Sequence, residues 1–313
     1  MNVTTATMIA VRMHTTGSPD VLVYEEVPLP EPGPREVLIR VHAAGVNPVD
    51  CKRRRGVIGS RDDLPLIPGY DVSGMVAACG PGVRDCSEGE EVFAYLHRYG
   101  GGYAEFAVAA LGEFVRKPAG IDHVHAAAAP LAALTAWQGL FDHGRLRAGQ
   151  TVLIHGAGGG VGHIAVQLAR EHGARVVATA AAADLDVVSR LGADIVIDFA
   201  AMPFQKVVRE VDLVFDLVAG VTQRRSWPVL REGGLLVSAL GRPERVDEAP
   251  AGTTGRGFKA RADAAQLEAI RDLVERGRLS VHVTRTLPLV EARHAHDLME
   301  SQHNQGKTVL VVR

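Results

Sequence analysis

The stretch Val152-Leu-Ile-His-Gly-Ala-Gly-Gly-Gly-Val-Gly-His-Ile-Ala-Val-Gln-Leu168 passes from an apolar strand pattern through a glycine turn into a helical pattern. Two overlapping glycine registers fit it, Ala157-x-Gly159-x-x-Gly162 and Gly156-x-x-Gly159-x-x-Gly162. A chain that leaves a strand in so tight a turn has no room for side chains, and neither has a backbone that must approach a pyrophosphate. The amides that open a helix over Gly160–Glu171 would face the phosphates, aided by the helix dipole. Gly158, Gly159, Gly160, Val161 and Gly162 are therefore expected to hold the diphosphate of a dinucleotide.

The same rhythm continues on both sides of this turn. Apolar runs of strand length occupy Thr151–His155, Arg175–Thr179, Asp194–Asp198, Asp212–Val218 and Gly234–Leu240, with helical stretches such as Asp184–Leu191 between most of them. Strands apolar on both faces and joined by helices read as a parallel sheet covered on both sides, a doubly wound α/β domain over residues 126–260. Residues 1–125 have a different texture. Short alternating runs, Val37–Val41 and Glu90–Ala94, stand between turn signals such as Pro32-Gly33-Pro34 and Gly80-Pro-Gly82, as in an irregular β-rich domain. Residues 261–313 return to mixed structure: an amphipathic helix over Ala264–Arg276, a strand over Val281–Leu287, a helix over Leu289–Ser301 and a strand over Thr308–Val312.

Bulk properties narrow the function classes. With 313 residues, 47% hydrophobic and 22% charged, the chain can bury a sizeable core. A formal net charge of -2 gives no pull toward nucleic acid or an anionic membrane. The apolar stretch Ala126–Phe141 is interrupted by Pro130 and too short to span a bilayer, and the start of the chain does not read as a signal peptide. Three cysteines, Cys51, Cys79 and Cys86, do not make a disulfide framework and fit a reducing, cytoplasmic setting.

The end of the second strand bears on which dinucleotide is taken. An NAD site places an acid there for the ribose 2′-hydroxyl, whereas this chain reads Val177-Ala-Thr-Ala-Ala-Ala-Ala-Asp184. Asp184 comes late and is expected to open the next helix. The absent carboxylate favours NADP (NADPH as the reductant), although no Lys or Arg lies next to the strand end and Arg190 is the nearest helper.

Further segments carry a family resemblance. Gly45-Val-Asn-Pro-Val-Asp-Cys-Lys52, Ile67-Pro-Gly-Tyr-Asp-Val-Ser-Gly74 and Gly101-Gly-Tyr-Ala-Glu105 precede the glycine turn; Leu191-Gly-Ala-Asp-Ile-Val-Ile-Asp198 and Gly306-Lys-Thr-Val-Leu310 follow it. Together they resemble the medium-chain dehydrogenase/reductase superfamily, in its zinc-independent quinone oxidoreductase (zeta-crystallin-like) branch. The resemblance covers essentially the whole chain. It implies a GroES-like catalytic domain, residues 1–125 and 261–313, split around a Rossmann domain, with the active site in the cleft between them and a homodimeric assembly. It further implies NADPH-dependent hydride transfer to a quinone or an α,β-unsaturated carbonyl compound, with no metal. Zinc relatives place a cysteine ligand where this chain has Asn47, and Gly-His-Glu where it has Gly69-Tyr70-Asp71; the lobe of four clustered cysteines is missing.

Site residues follow from the resemblance position by position. Asn47 would lie beside the nicotinamide ribose and substrate, although an asparagine before Pro48 also suits a turn. Lys52 would hold cofactor or substrate, or be one more solvated cation of Lys52-Arg-Arg-Arg55. Tyr70 could donate to the substrate oxygen, or be structural. Thr135 would meet the nicotinamide carboxamide. Thr179 and Ala180 would lie near the 2′-phosphate, Val218 near the ribose, Leu240 and Gly241 at the nicotinamide edge, and Phe258 and Lys259 over it. Lys307 would reach the cofactor side. Cys51 reads more readily as a packing residue than as a catalytic one, His155 as structural, and His294 and His296 lie on different sides of a helix. Two rival functions stay open: a dehydrogenase of simple alcohols or aldehydes, and a cofactor-binding partner protein without catalysis.

Overall fold

A computed structural model describes residues 6–245, 247–301 and 305–312. Seven strands come first: β1 Thr7–Met13, β2 Leu22–Pro28, β3 Glu36–Val46, β4 Asp71–Cys79, β5 Glu91–Tyr95, β6 Phe106–Ala110 and β7 Phe114–Arg116. Six follow in the middle of the chain: β8 Thr151–His155, β9 Arg175–Ala180, β10 Ile195–Asp198, β11 Val211–Asp216, β12 Leu230–Ser238 and β13 Thr254–Gly257. The last two are β14 Val283–Pro288 and β15 Lys307–Val311. Two compact units result. One runs through Leu131 and takes in Ala262–Glu275 and the residues from Val281 on; the other is Ala132–Arg261 with Arg276–Ser280.

In the second unit all six strands are parallel, in the order β10-β9-β8-β11-β12-β13. This is the doubly wound Rossmann order, with the strand sequence reversing between β8 and β11. The central strands are apolar on both faces because helices cover both; in β8 only Thr151 keeps partial exposure. A core of Leu153, Val177, Val214, Trp227 and Leu236 forms beneath them, and the Trp227 indole donates to the Glu244 carbonyl at 2.8 Å.

The first unit is built on antiparallel pairing except at one edge, where β14 joins β15 in parallel. Its larger sheet runs β14-β15-β3-β4-β5-β7, with β6 added on β3, and β1-β2 forms a separate ribbon. The doubly wound parallel sheet and the β-rich unit read from the sequence are thus both present. The joining of β15 to β3 sets the chemistry of this unit, since it places Thr308 opposite Val46 and so Lys307 beside Asn47.

Several boundaries differ from those read in the sequence, for local reasons. Strands β11 and β12 stop at Asp216 and Ser238, two residues short of Val218 and Leu240. The Asp216 carboxylate accepts the amides of Val218 and Ala219 at 3.0 and 2.9 Å, which turns the chain out of extended geometry. The helix after β8 begins at Gly162, with Gly160 and Val161 still in the turn. Arg54, read as part of a solvated basic run, is buried; its guanidinium is bonded to the Gly17 carbonyl at 2.8 Å and to Glu300. Among the described residues, no helix is long and apolar enough to cross a membrane.

Candidate active site and dinucleotide turn

The glycine turn of the second unit lies at the carboxyl end of β8, where the strand order reverses and ligands of such sheets bind. Ala157 donates to the Thr179 carbonyl at 3.0 Å, and Gly159 to Gly156 at 3.1 Å. The helix ladder then starts with His163 donating to Gly159 at 3.1 Å. The amides of Gly160, Val161 and Gly162 therefore have no acceptor among the described residues, at the positive end of a ten-residue helix. A Cβ on Gly162 would lie 2.1 Å from the Gly156 carbonyl oxygen, and one on Gly158 would lie 2.2 Å from a carboxylate oxygen of Asp184. Close backbone packing and unspent amides together fit a diphosphate.

Around this turn the expected contacts separate into exposed and interior ones. Val218 and Leu240 stand half-exposed beyond the ends of β11 and β12, and Gly241 turns there with φ 127°. Thr179 and Ala180 are buried at the end of β9. The Thr179 hydroxyl is 2.9 Å from His155 Nδ1, and His155 Nε2 is 2.9 Å from the Ser226 hydroxyl. That hydroxyl thus faces inward. Burial holds His155 down at about 4, so it is a neutral structural group at neutral pH. Phe258 is also interior, stacked on His143 with ring centroids 4.6 Å apart, while Lys259 is exposed. Thr135 is buried in the helix Pro130–Trp137. Asp184 does precede the helix Leu185–Arg190, but its side chain makes no cap; it is buried against Gly158.

The first unit holds a buried polar cluster around Asn47. Asn47 caps the helix Pro48–Arg54, and its backbone amide donates to Asp50 Oδ2 at 2.7 Å. The Asn47 side-chain amide donates to Asp71 Oδ2 at 2.9 Å and accepts from the Lys307 ammonium. Lys307 Nζ also lies 3.8 Å from Asp71 Oδ2 and 3.4 Å from the Val46 carbonyl. Below them the Tyr103 hydroxyl donates to Asp50 Oδ2 at 3.2 Å and stands 3.2 Å from His296 Nε2. Burial raises both carboxyl groups, Asp50 to about 7 and Asp71 to about 6, the Lys307 ammonium working against it in each case. Burial likewise lowers the Lys307 ammonium. The ammonium that was expected to reach a cofactor is thus spent on fixing Asn47. Cys51, in the same helix, is a buried thiol pushed by burial up to about 12, which makes it inert.

Tyr70 follows Gly69, whose φ of 96° lets the chain pass the Tyr103 ring; a Cβ there would meet that ring at 2.4 Å. The Tyr70 ring stands edge-on to Tyr95 at 6.3 Å. Its hydroxyl has no hydrogen-bond partner among the described residues, and it borders a cavity of about 330 Å³ between the segments around Arg53 and Gly100. Burial raises its pKa, so it stays a neutral donor. Lys52 is half-buried on the Asn47 helix, with no side-chain partner among the described residues. The structure therefore brings Asn47 and Lys307 together, puts Asp71 between them and next to Tyr70 in sequence, and adds Asp50, Tyr103 and His296. Asp50 and Tyr103 carry no role in the sequence reading; Asp71 figures there only in place of a zinc relative's glutamate, and His296 only as one of two histidines on different sides of a helix. The Asp50 spacing, three residues after a capping asparagine, was the one available signal.

The donor set does not suit zinc. Asn47 is a neutral amide bonded on both sides, and its oxygen already faces a cation. Among the described residues, no group of three or more His, Cys, Asp or Glu is placed to hold a metal ion.

Comparison with known proteins gives the following. Residues 33–119 match the family described as "Alcohol dehydrogenase GroES-like domain", and residues 191–310 match "Zinc-binding dehydrogenase". The chain is 34% identical to the NADPH-dependent alkenal/one oxidoreductase, chloroplastic, of Arabidopsis thaliana, over 94% of this chain and 77% of that protein. It is 31% identical to the quinone oxidoreductase of Rattus norvegicus, over 97% of this chain and 98% of that one. A mycobacterial protein solved in complex with NADPH superposes with a TM-score of 0.87 at 30% identity, over 97% of this chain and all (100%) of the other.

Proposed function

Because the chain belongs to the medium-chain dehydrogenase/reductase superfamily, among its quinone oxidoreductases and alkenal reductases, we propose that it reduces quinones or α,β-unsaturated carbonyl compounds with NADPH. The observation that carries this reading is the state of Asn47. Lys307 holds its oxygen and Asp71 takes one of its N–H groups, so its second N–H is a donor fixed in direction. When bound, the dihydronicotinamide supplies the hydride. A conjugated acceptor is activated by its own conjugation, and negative charge develops on its oxygen. Asn47 and the unpartnered Tyr70 hydroxyl are the groups we assign to meet that charge, and Lys52 is the assigned contact to cofactor or substrate.

The glycine turn supports diphosphate binding through Gly158, Gly159, Gly160, Val161 and Gly162, with Val218, Leu240 and Gly241 along the rim. The phosphorylated dinucleotide is supported by the run Ala180–Ala183, which ends β9 without an acid, and by the NADPH named for the Arabidopsis and mycobacterial relatives. Arg190, exposed at the end of its helix, is the assigned partner of the 2′-phosphate. We assign a cytosolic homodimer, the compartment in keeping with three unbridged thiols and the assembly with the family resemblance alone.

Purified protein mixed with NADPH and a naphthoquinone, an alkenal and a plain ketone tests the proposal by loss of dihydronicotinamide absorbance. Turnover of the quinone or alkenal is expected. Turnover of the ketone alone would replace this reading with the alcohol dehydrogenase one, and binding of NADPH without turnover would favour a non-catalytic role.

A further inference from the structure

The cavity beside Tyr70 has charged walls. It holds about 330 Å³ and is lined by Arg53, Asp63, Tyr70, Arg98 and Tyr99 around a floor that includes Ile67 and Pro68. That volume is at the small end of ligand sites, about 300–1,000 Å³, and suits a compact molecule.

The two arginines are held differently. Arg53 is mostly buried, at 17% exposure, and its guanidinium lies over Gly59, where a Cβ would come within 1.0 Å of Nη1. Its Nη2 donates to Asp63 Oδ2 at 2.6 Å. Arg98 is 63% exposed and stacks over the Tyr99 ring at 4.9 Å. Its nearest carboxylate, Glu36, stands at 3.8 Å, beyond hydrogen-bond reach, and Glu36 instead accepts the Tyr99 hydroxyl at 3.2 Å. The lining carries two cations and one carboxylate, and Arg98, paired only loosely with Glu36 outside the lining, keeps its guanidinium free of a close carboxylate hydrogen bond. Asp63 is half-exposed on a short 3-10 turn, where an anionic ligand could take its place on Arg53. A guanidinium fork matches a carboxylate in two parallel hydrogen bonds, which an ester cannot reproduce with charge.

Resting on the reductase reading above, we propose that the acceptor is a compact enone or quinone bearing a carboxylate. Arg98 and Arg53 grip the carboxylate, and Tyr70 in the same wall meets the carbonyl oxygen.

A matched pair tests this: a 4-oxo-2-alkenoate and its methyl ester, each reduced with NADPH at low ionic strength. We expect kcat/KM to favour the free acid by about tenfold or more, roughly one charge-assisted contact. Arg98→Gln should lower the acid-to-ester ratio by about the same factor, and Asp63→Asn, which removes the competing carboxylate, should raise it. A ratio of one or below in the unaltered protein, or one that neither variant moves, overturns the proposal while neutral quinone turnover keeps the reductase reading intact. If neither acid, ester nor quinone consumes NADPH, both fall together.

Discussion

Tyr70 shows how much a single side chain can be asked to do here. Its hydroxyl is neutral, unpartnered among the described residues and set in the wall of a cavity. If it meets the developing oxyanion, Tyr70→Phe should lower kcat/KM by about 10²-fold with the fold intact, the usual effect of losing one such donor. A change below threefold, read by steady-state kinetics beside an unaltered thermal transition, would mark the tyrosine as structural. Asn47 and Tyr70 could be picked out in the sequence because each departs from a ligand position of zinc relatives. Asp50, Asp71, Tyr103 and His296 could not, because an acid or histidine gains meaning only when burial removes its water. That burial comes from β4 and from the helix Ala292–Ser301, elements far from Asn47 in the chain. For Lys307 the resemblance gives a position only; the β15-β3 pairing adds that its ammonium is held by Asn47 and Asp71 inside the unit.

Among the elements, the turn from β8 into the helix Gly162–Glu171 is the most constrained. Gly162→Ala places a methyl 2.1 Å from the Gly156 carbonyl oxygen, where backbone cannot yield cheaply. The variant should bind NADPH at least tenfold more weakly by calorimetry and lose about 2 kcal/mol or more of stability, since overpacking at a closed site costs about 1–3 kcal/mol. Full-affinity binding would remove the turn from the dinucleotide site. Strands β8 to β12 were readable because strands covered on both faces are apolar throughout, a signal that survives in a single sequence. Their ends were not. Asp216 closes β11 through side-chain bonds to Val218, Ala219, Gln223 and Ser238, and such bonds leave no periodic trace. The same carboxylate holds Ala219 at φ 64°, a conformation costly for a residue with a Cβ, at the edge of the switch point.

Over the whole molecule, the buried carboxyls link stability to pH. The Asp50 carboxyl, ordinarily near 3.8, sits at about 7 in the folded chain, chiefly through burial. The native state therefore binds this proton more tightly than the unfolded chain does. The stability it contributes is fully present below about pH 4 and is lost as pH rises through about 7. His155 and His296, held at about 4 and about 3 by burial, act in the opposite sense: their contribution is present above 6.5 and lost as pH falls. A bare stability curve mixes the two, so the difference between variant and parent is the clean measure. Asp50→Asn should gain on the parent as pH rises from 4 to 7, by on the order of 2 kcal/mol in urea titrations, and then level off. A pH-independent difference would show that Asp50 ionises normally. One consequence reaches back to how the chain is made. Asn47 and Lys307 are separated by 260 residues, with the entire dinucleotide unit threaded between them. During synthesis the parallel-sheet unit can be complete while Asn47 still lacks its cation, so under the proposed assignment the polypeptide would acquire a cofactor seat well before the means to use one.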